Sequence, residues 1–362
     1  MLFRSDKQRQ AADRVVEATE TLGIPIQYVI GEKMGHKINP PSAEKISRQL
    51  QQWSTEIGPA PRRKIDFVTY TLRYPTADWL TVTGLEEHWS PGRVKAEILE
   101  DDRIRIETNG VTQLRLDFSK SGWGGDREAR VEIDGDRLLV PDQQSAQQQS
   151  AQQQSPGLSC ELIRDDGWYV LQGDDQRLRK RPGLQGPIDD AFCDRFLFVL
   201  PSRPAMHGNV QRWIQRELDY ARDRWKRLMR GRVREVLDSE LTPQQIRDNH
   251  LICFGDFTSN TFLRQIRSEL PVKWNEKEIE LGDQPVDATS HALVMCYPNP
   301  RNPDRYVVIN SGMTFREFSN VSNSRQIAML PDWALIGVDS SDDGMLPGPV
   351  AGKGFFDESW QP

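Results

Sequence analysis

Between Ile65 and Ile133 apolar and polar residues alternate with a period of two, and no other feature limits the fold of this chain as strongly. Val94, Ala96 and Ile98 are interleaved with Lys95 and Glu97; Ile104 and Ile106 flank Arg105; Leu114, Leu116 and Phe118 flank Arg115 and Asp117. Successive side chains of a strand point to opposite faces, so each run reads as a strand with one wet and one buried face. The pairs Asp101-Asp102, Asn109-Gly110 and Asp134-Gly135 supply turns between the runs. Short strands are expected over Ile65–Leu72, Trp79–Thr83, Arg93–Leu99, Arg103–Glu107, Thr112–Phe118 and Arg130–Ile133. Cys160–Ile163 and Trp168–Leu171 complete an all-β, sandwich-like module over residues 64–178. Within it, residues 142–156 carry the tandem repeat SAQQQSAQQQS, which has no apolar residue larger than Ala. Such a segment cannot pack and is expected to be a disordered surface loop.

The flanks follow another rule. Ala11, Ala12, Val15, Val16, Ala18 and Leu22 recur at helical spacing, and Gly23 and Pro25 close that helix. Gln27–Ile30 is a short apolar run expected as a buried strand; Ser42 then caps a helix striped by Ile46, Leu50 and Trp53. Residues 1–57 therefore read as an α/β unit with a single strand, too little to bury both faces of a sheet. Gly58–Arg63 (GPAPRR) is a linker. Residues 182–362 alternate strands with helices. Strands are expected at Phe196–Leu200, Leu251–Phe254, Ala292–Cys296, Tyr306–Ile309 and Trp333–Val338, and a long helix over Asn209–Val236. Thr242-Pro243-Gln244-Gln245 has the form of a capping box. This alternation predicts an α/β domain with a partly parallel sheet, so the fold class is α/β plus all-β.

Composition excludes several function classes. The formal net charge is −6 over 362 residues, which gives no basic footprint for nucleic acid. Nine basic residues between Arg212 and Arg234 are interspersed with Glu217, Asp219 and Asp223 and read as a solvated helix face. No run approaches the ~20 apolar residues of a membrane span. The first residues, MLFRSDKQRQAADRVVEA, hold no apolar h-region, so the chain shows no signal peptide and a cytoplasmic location is the default. Cys160, Cys193, Cys253 and Cys296 are far apart, with no C-x-x-C pair, and indicate neither a zinc site nor a disulfide framework. No cofactor is expected, and oligomeric state is not legible.

Candidate chemistry is sparse. Asp6 precedes the first helix and His36 lies in the loop after the expected strand, the order in which an α/β-hydrolase places its acid and its base. The alternative is a helix N-terminal Asp and an exposed loop His. No G-x-S-x-G occurs; Ser311 follows a strand as a nucleophile would, with His291 or His250 as conceivable bases, and a turn serine as the plainer account. The strand-to-helix turn Gly255–Asn260 (GDFTSN) has the outline of an anion site, or of any βα turn. Trp79, Trp89, Trp123 and Trp168 are candidates to stack a sugar ring or to fill the sandwich core; Trp123, in SGWGGD, is the most loop-like.

The run IGEKMGHKINPPSAEKI resembles the His loop and final helix of prolyl-oligopeptidase-like hydrolases, and SDKQRQAAD resembles their acid-bearing loop. TYTLRYPTADWLTVTGLEEHW, KRPGLQGPIDDAF, NPRNPDRYVVINSGMTFRE and LPDWALIGVD resemble the long C-terminal region of large bacterial proteins of this type, some labelled acetyl xylan esterase-like. The resemblance implies that His36 matches the catalytic His and Asp6 the catalytic acid. It implies that residues 1–57 are the end of an α/β-hydrolase core whose serine lies before this point. The substrate would be a peptide or an acetylated polysaccharide, and the chain alone would be inactive. The second expectation is a non-enzymatic interaction or carbohydrate-binding module, with Trp123 in the binding role.

Overall fold

The computed structural model describes residues 9–31, 37–56, 62–99, 103–117, 128–140, 159–173, 175, 177–315, 328–339 and 347–362. The chain divides into two compact units, Met1–Pro61 and Arg62–Pro362. Its content is mixed α and β; the described residues form four sheets, in which some strand pairs are parallel. The expected 142–156 loop lies outside the described residues.

The first unit contains helices α1 (Arg9–Thr21) and α2 (Pro40–Glu56). The expected strand Gln27–Ile30 is not formed: residues 24–30 are irregular, tied to the helices by Tyr28 Oη donating to Asp13 and Gln27 Nε2 donating to Gln49. A strand exists through its ladder, and the described residues of this unit supply no second strand. The α2 stripe is wet as well, since Leu50 is 57% and Trp53 40% exposed. They border a cleft of about 220 Å³ with Tyr28, Val29 and Ile46.

The described residues of the second unit open with ten strands: β1 (Lys64–Thr69), β2 (Thr76–Ala77), β3 (Leu80–Leu85), β4 (Gly92–Ile98), β5 (Arg103–Asn109), β6 (Val111–Asp117), β7 (Ala129–Ile133), β8 (Asp136–Val140), β9 (Ser159–Arg164) and β10 (Trp168–Val170). They form two five-stranded sheets, β1-β4-β5-β7-β8 and β10-β9-β6-β3-β2. All neighbours are antiparallel except β5 and β7. The period-two residues do what the alternation requires: Val94, Ala96, Ile98, Ile104, Ile106, Leu114 and Leu116 are buried in one shared core. Trp79 lies at its heart, with Nε1 donating to Arg62 O at 2.6 Å.

The rest of the unit is built on a seven-stranded mixed sheet. Its members are β11 (Phe196–Leu200), β12 (Glu235–Leu237), β13 (His250–Cys253), β17 (His291–Asn299), β18 (Asn302–Ile309), β19 (Trp333–Gly337) and β20 (Val350–Gly354), in the order β12-β11-β13-β18-β17-β19-β20. The pairs from β12 to β18 are parallel; those from β18 to β20 are antiparallel. A small sheet of β14 (Lys273–Trp274), β15 (Glu278–Leu281) and β16 (Gln284–Asp287) stands beside it. Helices α3 (Gly208–Met229), α4 (Pro243–Asp248) and α5 (Thr261–Ile266) make the connections.

Helix α3 is shorter than its charge and apolar pattern predict. Arg230 takes a left-handed backbone (φ 59°) and Gly231 follows, so residues 235–237 turn back to pair with β11 instead of extending the helix. Val210, Trp213, Ile214, Leu218 and Ala221 recur at three- and four-residue spacing and are buried against the sheet. The approach is close: a Cβ on Gly312 would come within 2.5 Å of Ala221 Cβ. Part of the basic face is paired with acids, as with Arg222 to Glu235 and Asp219, and Arg227 to Asp223. Arg224 departs from the expected solvated face, being only 2% exposed. The capping box at Thr242 is present, with Thr242 and Gln245 bonded reciprocally.

Candidate functional site

In open α/β sheets, ligands favour the carboxyl ends of parallel strands where the strand order reverses. Here β12 lies on one side of β11 and β13 on the other, which puts that point between the ends of β11 and β13. Its polar groups are spent on each other. Asp256 Oδ1 accepts from the backbone N–H of Thr258 and Ser259 and from Thr258 Oγ1, and Oδ2 accepts from Met206 N. Asn260 Oδ1 caps α5 by accepting from Phe262 N and Leu263 N. Asn310 bridges to the turn after β13, its Oδ1 accepting from Gly255 N and its Nδ2 donating to Gly255 O. The N–H groups that would cradle an anion at GDFTSN are thus already engaged, and the turn is a brace. The cavity beside it, bordered by His207, Asp256, His291 and Asn310, holds about 10 Å³, room for about one water.

The serine–histidine arrangements do not assemble. Ser311 Oγ donates to the neighbouring Gly312 O. His250 stands in register with β18 one residue before Leu251↔Val307, so Ser311 lies five residues farther along the strand direction, roughly 16 Å away. His250 Nδ1 accepts the backbone N–H of Tyr306, and burial holds the imidazole down at about 4, so it is neutral. His291 Nδ1 is within 3.0 Å of Asp287 O and 3.1 Å of Ser290 Oγ. The three buried thiols are equally unsuited to attack: burial raises Cys160 to about 12 and pushes Cys253 and Cys296 up as well.

A denser polar cluster sits where the sandwich meets the seven-stranded sheet. The His88 backbone N–H donates to Glu358 Oε1, and His88 Nδ1 lies 2.6 Å from the same oxygen. His88 Nε2 is 3.2 Å from Gln185 Oε1, which also accepts from Thr71 Oγ1. Next to it Tyr306 Oη donates to Asp190, whose carboxyl is raised by burial, and Gly186 N donates to Tyr306 Oη. Lys180 Nζ donates to Asp332 Oδ2 at 2.8 Å; both side chains are sealed from solvent, and burial raises the Asp332 carboxyl against the pull of Lys180. Asp189 accepts from Thr314 N and Oγ1, yet burial pushes it up to about 6. Among the described residues no cluster has the makings of a metal site.

The tryptophans separate cleanly. Trp79 and Trp168 are core residues, 0% and 4% exposed. Trp89 is 44% exposed and has a left-handed backbone (φ 69°), which costs a bulky residue about 1–2 kcal/mol. Its N–H donates to Tyr70 O, and its ring lies 6.1 Å from that of Phe355, itself 50% exposed. Phe355 carried no signal in the sequence, because only the tertiary fold brings it to Trp89. Asp6, His36 and Trp123 lie outside the described residues.

Among the described residues, no helix is long and apolar enough to cross a membrane. No protein-family model, curated protein or solved structure matches the chain.

Proposed function

We propose that the chain is part of a serine hydrolase of the prolyl-oligopeptidase-like type, a peptidase or carboxyl esterase, in which it carries the base and its orienting acid but not the nucleophile. His36 would take the serine proton and return it to the leaving group, and Asp6 would hold the imidazole tautomer. The support for these two roles is the likeness of IGEKMGHKINPPSAEKI and SDKQRQAAD to the corresponding hydrolase loops. Residues 62–362 form the non-catalytic part. The observation that carries this half of the reading is the engagement of Ser311 by Gly312 O, with both candidate histidines bonded elsewhere.

Removing the serine of a triad costs several orders of magnitude in rate. The chain by itself is therefore expected not to react with a fluorophosphonate probe, read by intact mass. A stoichiometric adduct on Ser311, or on any other serine, overturns the proposal.

A further inference from the structure

We infer that Trp89 and Phe355 form a platform for one or two pyranose rings of a neutral polysaccharide. The first observation is strain. Trp89 holds a backbone conformation that a bulky residue avoids, and it does so with its ring in solvent rather than in the core. The surroundings enforce it. Trp89 N donates to Tyr70 O, and the preceding residue, His88, is clamped to Glu358 through both its backbone and its ring. A buried anchor beside an exposed, strained aromatic presents the ring; it does not hide it.

The second observation is the partner ring. Phe355 meets Trp89 at 6.1 Å and an interplanar angle of 49°, a shallow open V rather than a stacked pair. Lys180 Nζ lies 6.0 Å from the centre of the Phe355 ring, which ties it to the buried ion pair beneath. The two rings come from the two halves of the Arg62–Pro362 unit, so the platform exists only when those halves are docked.

The third observation is the rim. Glu87 is exposed and accepts from Ser90 Oγ, and Glu358 keeps part of its side chain in solvent. An exposed aromatic pair, with carboxylates on Glu87 and Glu358 two and three residues along the chain from its rings, suits a ligand with an apolar C–H face and a fringe of O–H donors, which describes a pyranose. A nucleic acid is opposed by these carboxylates and by the net charge of −6. A proline-rich peptide lacks donors on its prolines to meet the rim. This inference is independent of the hydrolase reading, since it involves neither His36 nor Asp6.

The test is affinity electrophoresis of the full chain in native gels containing hydroxyethylcellulose, glucomannan, xylan or laminarin. Retardation is expected in at least one gel. Trp89→Asn and Phe355→Ala should each weaken binding about tenfold or more, as loss of about 1.4 kcal/mol of stacking implies; Trp89→Phe should keep part of it. Asn tolerates the left-handed backbone, so Trp89→Asn should unfold at a temperature no lower than the parent. Absence of retardation in all four gels overturns the platform, as does retardation indifferent to Trp89→Asn. Displacement of the polysaccharide by a polyproline peptide, with tighter binding of the peptide, overturns the choice of ligand.

Discussion

The Nδ1 of His88 and the Oε1 of Glu358 lie 2.6 Å apart although 270 residues separate them in the chain. The same oxygen accepts the His88 backbone N–H. One carboxylate near the C-terminus therefore fixes a turn of the sandwich, and with it the position of Trp89.

Removing that acceptor leaves two donors of a buried residue unpaired. Glu358→Ala is expected to destabilise the chain by about 2 kcal/mol, measured by urea unfolding. Glu358→Gln keeps a neutral acceptor and should cost less. Equal costs for the two would mean that packing, not the hydrogen bonds, holds the turn.

Lys180 and Asp332 form an ion pair that solvent does not reach. Lys180→Ala should cost about 3–5 kcal/mol, because the Asp332 carboxylate is left uncompensated. Lys180→Met combined with Asp332→Leu should cost less than the single change, despite orphaning Phe356 N, which bonds to Asp332. If the double variant is the weaker of the two, the pair contributes net stability.

His250 sets one pH dependence. Its folded value, about 4, lies below the usual 6.5 because of burial. The neutral ring therefore contributes stability above pH 6.5 that is lost as the pH falls toward 4. The full loss is about 3 kcal/mol. In His250→Asn, Oδ1 can still accept from Tyr306 N, and this part of the pH dependence should vanish in urea titrations at pH 7 and pH 4.

Asp189 acts with the opposite sign. Burial raises its folded value from 3.8 to about 6. Its contribution is complete below pH 3.8 and is lost as the pH rises through 6. Asp189→Asn should then be more stable than the parent at pH 8 by roughly 1–3 kcal/mol and similar to it at pH 4. A variant that is less stable at both pH values would show that the bonds from Thr314 need both oxygens of the carboxyl group, whatever its charge.

Gly312 leaves no space for a side chain beside Ala221. Gly312→Ala is expected to cost about 1–3 kcal/mol by overpacking, and Gly312→Ala with Ala221→Gly to recover part of it. Thermal unfolding of the two variants gives the comparison.

The sandwich was legible because its signal is local. Period-two alternation in Val94–Ile98 and Ile104–Ile106 decides which faces are buried wherever a partner sheet exists, and the turn pairs set where strands reverse. The parallel sheet was legible from the apolar runs at Phe196–Leu200 and Leu251–Phe254. The long helix was overextended past Met229, because propensity does not report that residues 235–237 have a strand to pair with. Gln27–Ile30 reads as a strand for the converse reason: an apolar run has strand character, yet a ladder needs a neighbour. Trp79, Trp89 and Trp168 are equivalent as letters; burial of two and exposure of the third follow from where β3, β10 and the Glu86–Ser90 turn lie. Ser311 beside a strand end could not be judged without the register that places His250 at the opposite end of the strands. Sequence alone thus determined the elements whose forces act between near neighbours. Phe355 beside Trp89, Glu358 on His88 and Asp332 on Lys180 were decided only by tertiary structure, since each depends on packing between segments that nothing local brings together.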